Sequence, residues 1–231
     1  MDTISGQDYL DGQVLVFDKP YGWTSFLLVK KIRGALQRRY GLKKLKVGHA
    51  GTLDPLATGL MIVAIGKSTK RIDELQAGEK EYYATVRLGG TTPCFDLEKE
   101  IDAVFPFDHI DRGMVEEALK AMTGDVDQVP PVFSAKKVEG ERAYDKARRG
   151  EHQELEPKRV QIRELDLIDF SPPDVRLRIT CSRGTYIRAI ARDLGLALGS
   201  GAHLADLRRT RSGDFNLDNA LIFEDFLKSL F

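Results

Sequence analysis

Long apolar runs are missing from this chain. The longest, Gly59 to Ile65, is far short of the roughly 20 residues that cross a bilayer, which excludes a helical membrane span. The opening stretch, MDTISGQDYLDGQ, has neither a basic start nor an apolar core, so no secretory signal is expected and the address is cytoplasmic. Cysteine is scarce: Cys94 and Cys181 stand far apart without C-x-x-C or Cys/His spacing, which excludes a disulfide framework and leaves two free thiols. The four histidines, His49, His109, His152 and His203, show no H-E-x-x-H or comparable pattern, so no metal is expected. GKST at Gly66–Thr69 resembles the end of a P-loop, but Met61 stands where its first glycine is required. G-x-G-x-x-G before a helix and G-x-S-x-G are absent as well, and cofactor-free chemistry is the expectation that survives.

Net charge is also lacking, with 35 Lys and Arg against 35 Asp and Glu, yet the charges are unevenly spread. From Lys19 to Ile72 the chain carries twelve Lys and Arg and one acid, Asp54. Eight of those cations fall in KKIRGALQRRYGLKKLK, residues 30–46, and a second cluster is LRRTR at 207–211. The acids gather near residues 100 and 153 and in the tail. Such asymmetry on a neutral protein fits a face that binds a polyanion, although a solvated helix face has the same composition.

At 231 residues, 42% apolar and 30% charged, the chain has the length and composition of one generous globular domain, or two small ones at most. Alternation and β-branched residues predict strands near 13–17, 60–65, 80–89, 158–170 and 174–182. Helical spacing predicts helices near 24–39, with Thr24 or Ser25 as cap, and near 67–76, 111–122, 141–149, 185–198 and 221–230. The mixture lacks a regular βαβ beat, which points to an α/β or α+β domain around a mixed sheet. Residues 92–110, together with the stretch around Pro130–Pro131, read as an excursion from that sheet, a flap or thumb.

Asp54 stands in GTLDP, where Gly51 permits unusual backbone angles and Pro55 holds Asp54 out of the helical region. That places a carboxylate on a loop feeding an apolar strand; the plain alternative is a turn aspartate bonded to its own backbone. Among so many cations the carboxylate should stay ionised, fit to act as nucleophile or base rather than general acid. An ordinary glycosidase needs a second carboxylate about 5–9.5 Å away, and none lies nearby in sequence.

Six ordered motifs carry a resemblance: KPYGWTS from Lys19, GHAGTLDPLATGLMIVAIGKSTK from Gly48, KEYYATVRLGGTT from Lys80, QVPPVFSAKKVEGERAYDKARRG from Gln128, CSRGTYIRAIARDLG from Cys181 and GAHLADLRRTRSGDF from Gly201. Over roughly residues 13–215 the chain resembles the TruB-type tRNA pseudouridine synthases, which isomerise the uridine at position 55 of the T-loop. The resemblance implies a mostly antiparallel sheet flanked by helices, one catalytic domain over 1–231, a thumb within about 92–156, and no C-terminal PUA-like RNA-binding domain. It implies that Asp54 attacks the target nucleotide or abstracts a ribose proton, that Arg188 pairs with it, and that Tyr82 stacks on the flipped base and removes the C5 proton. His49 would fill the place of the extracted base, and Tyr186 and Leu207 would contact the uracil. Lys19, Arg208 and the cations of 30–46 would face RNA, with Arg209 and Arg211 among the phosphate candidates and Lys136, Lys137, Arg148 and Arg149 on the thumb. Without the resemblance, Arg188 reads as a surface helix residue, Tyr82 and Tyr83 as one core and one surface aromatic, and His49 as a loop residue. The implied partner is the T-stem-loop of tRNA, bound by a monomer with no cofactor, no membrane and no obligatory protein partner. A protein that binds or folds tRNA, with catalysis secondary, and a guide-RNA-dependent synthase are the alternatives.

Overall fold

The computed structural model describes residues 5–131, 137–138, 141–142 and 155–231, the two short central pieces as backbone only. The elements begin with α1 (Gly6–Asp11), β1 (Gln13–Lys19), α2 (Ser25–Tyr40), β2 (Val47–Ala50) and β3 (Thr58–Ile65), then a 3₁₀ turn (Gly66–Arg71) running into α3 (Ile72–Leu75). After them come β4 (Lys80–Leu88), β5 (Gly90–Thr91), β6 (Ala103–Val104), α4 (Arg112–Ala121), β7 (Gly124–Gln128), β8 (Lys137–Val138) and β9 (Glu141–Arg142). The chain closes with β10 (Lys158–Ser171), β11 (Asp174–Cys181), α5 (Ile187–Ala197), β12 (Ala202–Ser212), β13 (Phe215–Asn216) and α6 (Phe223–Leu230). The fold is mixed α/β, with mostly antiparallel strand pairing flanked by helices. No helix among the described residues is long and apolar enough to cross a membrane.

Two compact units divide the chain, one comprising Met1–Tyr82 and Arg208–Phe231, the other Tyr83–Leu207. In the first, β3 pairs antiparallel with β1 and with β2, and its start runs parallel to β12 through Arg208↔Thr58 and Arg209↔Gly59. β3 is buried from Gly59 to Ile65, which is why it reads as an unbroken apolar run rather than an alternating one. Leu60, Ile62 and Ala64 of β3 pack with Ala50 and Leu75, and Phe17 meets Phe226 of α6 edge-on at 5.3 Å. Between Thr24 and Ser25, the helix cap falls to Thr24, whose hydroxyl accepts from Leu27 N at 3.0 Å. The helix α2 ends at Gly41 in the left-handed region.

The second unit is built on β10, paired antiparallel with both β11 and β7. Its helix α5 buries Ile187, Arg188, Ala189, Ile190, Ala191 and Leu194. The buried residues Thr92, Cys94 and Asp96 lie in the segment read from sequence as an excursion.

The predicted strands and helices fall where periodicity places them among the described residues; α1, β2, β7 and the two-residue strands are not predicted, and three further segments differ. The predicted helix at 67–76 begins as a 3₁₀ turn, in which Thr69 Oγ1 donates to the Gly66 carbonyl at 2.8 Å. β12, eleven residues long, is not predicted, because AHLADLRRTRS carries four charges and a histidine through a strand that is largely buried. The predicted helix at 141–149 lies outside the described residues except for the two-residue strand β9.

Candidate active site

Asp54 sits in the turn between β2 and β3, and the backbone on both sides of it is fixed. On one side, Ser25 Oγ accepts from Leu53 N at 2.9 Å and donates to Leu53 O at 2.8 Å, so one buried hydroxyl serves both peptide groups of Leu53. On the other, the Pro55 carbonyl accepts from Gly22 N at 2.9 Å and from Lys19 Nζ at 3.3 Å. Lys19 also donates to Trp23 O at 2.6 Å and Pro20 O at 3.0 Å, so its three donors all engage backbone carbonyls and its side chain is fully buried. Burial lowers its pKa to about 8; the charge of Asp54 opposes that shift and the charge of Arg209 adds to it. Asp54 itself is half-buried, and its carbonyl closes the turn with Ala57 N at 3.1 Å.

Arg209 supports the same turn. It is buried, with Nε donating to Leu60 O at 2.8 Å and Nη2 to Gly51 O at 3.1 Å. Gly59, at φ +100°, lies against it in the parallel pair; a Cβ there would fall 2.2 Å from the Arg209 carbonyl oxygen, so only glycine fits. This corrects the expectation that Arg209 faces phosphates. Arg208 differs: partly exposed, it makes a two-pronged pair with Asp18 at 2.6 and 3.1 Å.

His49 lies on β2 opposite Val63. Its Nδ1 is buried without a hydrogen-bond partner among the described residues, and burial, reinforced by the Arg209 charge, holds its pKa below the ordinary value. Burial alternates along β4 so that Tyr82 points inward and Tyr83 outward, one core and one surface aromatic. These residues, from Lys19 to Tyr82 with Arg208 and Arg209, all belong to the first unit.

Tyr186, Arg188 and Leu207 belong to the second. Tyr186 precedes α5, and the amide of buried Gln128 brackets its backbone: Oε1 accepts from Tyr186 N at 2.8 Å and Nε2 donates to Tyr186 O at 3.1 Å. Arg188, in the first turn of α5, is buried and not on the helix surface. Its Nη1 donates to Cys94 O at 3.0 Å and its Nε lies 3.6 Å from the carboxylate of Asp96, itself buried. The turn that carries Asp96 is held by Thr92 Oγ1 on the Asp96 carbonyl at 2.7 Å and by Asp96 Oδ1 accepting from Glu98 N at 3.0 Å. Phe95 takes φ +63° there, a left-handed conformation rare for a bulky residue, and its carbonyl accepts from Leu204 N at 2.9 Å. Leu207 is buried on β12.

Sequence reading passed over Ser25, which holds the Asp54 turn of the first unit, and Asp96 and Gln128, which hold Arg188 and the Tyr186 backbone in the second. Ser25 was visible only as a possible cap, Gln128 as a neighbour of the proline pair, and Asp96 as one acid of an acid-rich stretch. Lys136, Arg148 and Arg149 lie outside the described residues, and Lys137 is described as backbone alone.

A half-buried carboxylate on a turn clamped from both sides, with two buried cations behind the turn, is built to hold one anionic oxygen in a fixed place. A model described as TruB family pseudouridylate synthase (N terminal domain) matches residues 37–187, and one described as tRNA pseudouridylate synthase B C-terminal domain matches residues 188–231. The chain belongs to the TruB family of pseudouridylate synthases. It is similar to the tRNA pseudouridine synthase B of Phocaeicola vulgatus, 58% identical over 219 residues that cover 95% of this chain and 93% of that protein. The tRNA pseudouridine synthase B of Parabacteroides distasonis is likewise 58% identical, over 224 residues covering 96% and 95%. Among solved structures, a chain of a Cbf5–Nop10–Gar1 complex matches with TM-score 0.72 and 29% identity over 95% of this chain. The present chain spans about half, 54%, of that chain's length.

Proposed function

We propose that this protein is a tRNA pseudouridine synthase that converts uridine 55 of the T-loop to pseudouridine. The clamped Asp54 turn is the observation that carries the proposal. Ser25, Lys19 and Arg209 fix the backbone around one carboxylate, so the reacting oxygen is placed before substrate arrives and little reorganisation is left for the chemical step. The reaction consumes nothing: the C1′–N1 bond breaks, the uracil turns, C1′–C5 forms, C5 loses its proton and N1 gains one.

In this reading Asp54 acts on the ribose, either at C1′ as nucleophile or at C2′ as base. Arg188 is the arginine that orients the carboxylate, with Asp96 and the Cys94 carbonyl setting its own direction. Tyr82 stacks on the flipped base and accepts the C5 proton, Tyr186 and Leu207 contact the uracil, and His49, neutral near pH 7, enters the place the base has left. Lys19 acts on the substrate through the turn that it holds, and Arg208 faces RNA at the exposed side of β12. The protein works in the cytoplasm as a monomer, without an obligatory protein partner.

A T-arm hairpin tritiated at uracil C5 tests the proposal. Wild type should release tritium over many turnovers, and Asp54→Asn should abolish release while binding the hairpin within about tenfold of wild type. Absence of release by wild type would overturn the assignment.

A further inference from the structure

Arg192 has no part in the site as described so far, yet it stands one turn after Arg188 on α5, where residues four apart share a helix face. Its side chain is 19% exposed, well covered for an arginine. The guanidinium engages three partners: Nε donates to Asp193 Oδ1 at 2.7 Å, Nη1 donates to the Val129 carbonyl at 3.1 Å, and its central carbon lies 5.1 Å from the centre of the Phe95 ring. Asp193, the next residue of the helix, supplies the counter-charge. The other two partners come from segments distant in sequence, and each borders a residue that holds Arg188 or Tyr186.

Phe95 is the centre of the turn that sets Arg188. Cys94 before it accepts from Arg188 Nη1, and Asp96 after it places its carboxylate 3.6 Å from Arg188 Nε. Between them Phe95 takes φ +63°, and a bulky residue stays in that region only where its surroundings over-determine it. Two backbone bonds contribute: Phe95 N donates to Thr92 O at 3.1 Å, and Phe95 O accepts from Leu204 N at 2.9 Å. Neither ties the Phe95 ring to α5. Arg192 does, as a cation over the ring projecting from the helix that carries Arg188. Val129, its second distant partner, follows Gln128, whose amide brackets the backbone of Tyr186 just before the same helix. One guanidinium thus joins α5 to the turn that directs Arg188 and to the segment that holds Tyr186.

We infer that Arg192 is a positioning residue for the reaction, acting through the Phe95 ring to keep Arg188 aimed. The inference rests on the reading above, in which Arg188 orients the reacting carboxylate, and adds what holds Arg188 in that direction. A planar guanidinium stacked on an aromatic face fixes rotation as well as distance, so the turn and the helix keep one register. Arg192 touches no reacting atom in this role. Its loss changes how well Arg188 is directed, which lowers kcat and leaves RNA binding nearly unchanged.

The test is a double-mutant cycle on the tritiated T-arm hairpin: wild type, Arg192→Met, Phe95→Leu and the two together, with kcat, KM and the urea midpoint measured for each. Met keeps a long apolar stem and Leu keeps an apolar side chain, so the cation and the ring are what is removed. Each single variant should lower kcat per folded molecule about tenfold with KM within about twofold. The double variant should be no slower than the poorer single one, because both changes remove the same contact. Losses that multiply to about 100-fold overturn the inference, as does an unchanged kcat with a lowered urea midpoint, the mark of a merely structural contact. Should Arg192→Met not fold, Phe95→Tyr and Phe95→Leu decide: Tyr keeps the ring and should keep kcat, Leu should not, and equal kcat in the two overturns the inference. Failure of the underlying reading shows separately, as no tritium release by wild type.

Discussion

Two buried arginines are held on different terms in the two units. Arg209 donates to the carbonyls of Gly51 and Leu60 and has no carboxylate partner among the described residues. Arg188 donates to one carbonyl, that of Cys94, and lies beside the buried carboxylate of Asp96. A guanidinium bound to backbone carbonyls pins the path of the chain around it, here the turn that presents Asp54. A guanidinium beside a buried acid has its own direction pinned. The first arrangement builds a platform and the second aims a side chain.

Removing the acid from the aimed arginine should have the largest effect. Asp96→Ala removes the buried acid beside Arg188, and breaking such a pair costs about 3–5 kcal/mol, read as a lowered urea midpoint. Asp96→Asn keeps the shape and much of that stability, so it isolates the aiming: kcat on the hairpin should fall on the order of 100-fold with KM little changed. A normal kcat in Asp96→Asn would break the comparison.

Arg209→Met should come next. It takes a donor from the buried carbonyl of Leu60 and from the half-buried one of Gly51, at about 1–3 kcal/mol for a buried group left unpaired, and should lower Tm by several degrees together with activity. Should activity fall while Tm holds, Arg209 acts through its charge and not as a platform. Ser25→Ala tests the same platform more gently, since both peptide groups of Leu53 lose one partner; a loss of about 1–3 kcal/mol by urea unfolding is expected.

A pH dependence from Lys19, confined to alkaline pH, completes the series. Its folded pKa, about 8, lies below the ordinary 10.5, so between those values the unfolded chain binds the proton more tightly. This group therefore makes stability rise with pH through that window. Comparing urea midpoints of wild type and Lys19→Met from pH 7 to 10 should show this upward slope in wild type only.

Much of this was legible in the residues. Unbroken apolar content marked β3, alternation marked β4, and helical spacing with a Thr-Ser cap marked α2. Gly51 and Pro55 announced the turn, and Gly51 takes φ +99°. What escaped was the burial of charge. β12 reads as a basic surface segment, yet pairing with β3 at Gly59 draws Arg209 inward and leaves Arg208 partly exposed on Asp18. The stretch from Thr92 to Asp96 reads as loop, yet the bond from Leu204 to Phe95, more than a hundred positions apart, ties it to β12.

The sequence by itself determined that one carboxylate stands alone among twelve cations, that it lies on a turn before an apolar strand, and that the helix before that turn is basic throughout its outer length. Local rules of backbone angle, periodicity and charge count suffice for each of these. Only the tertiary structure decided which cations are buried against carbonyls, which is buried against an acid, and which remain without a counter-charge on the surface of α2. Burial of a charged group is set by partners distant in sequence, because only a folded neighbour can supply the hydrogen bonds that replace water.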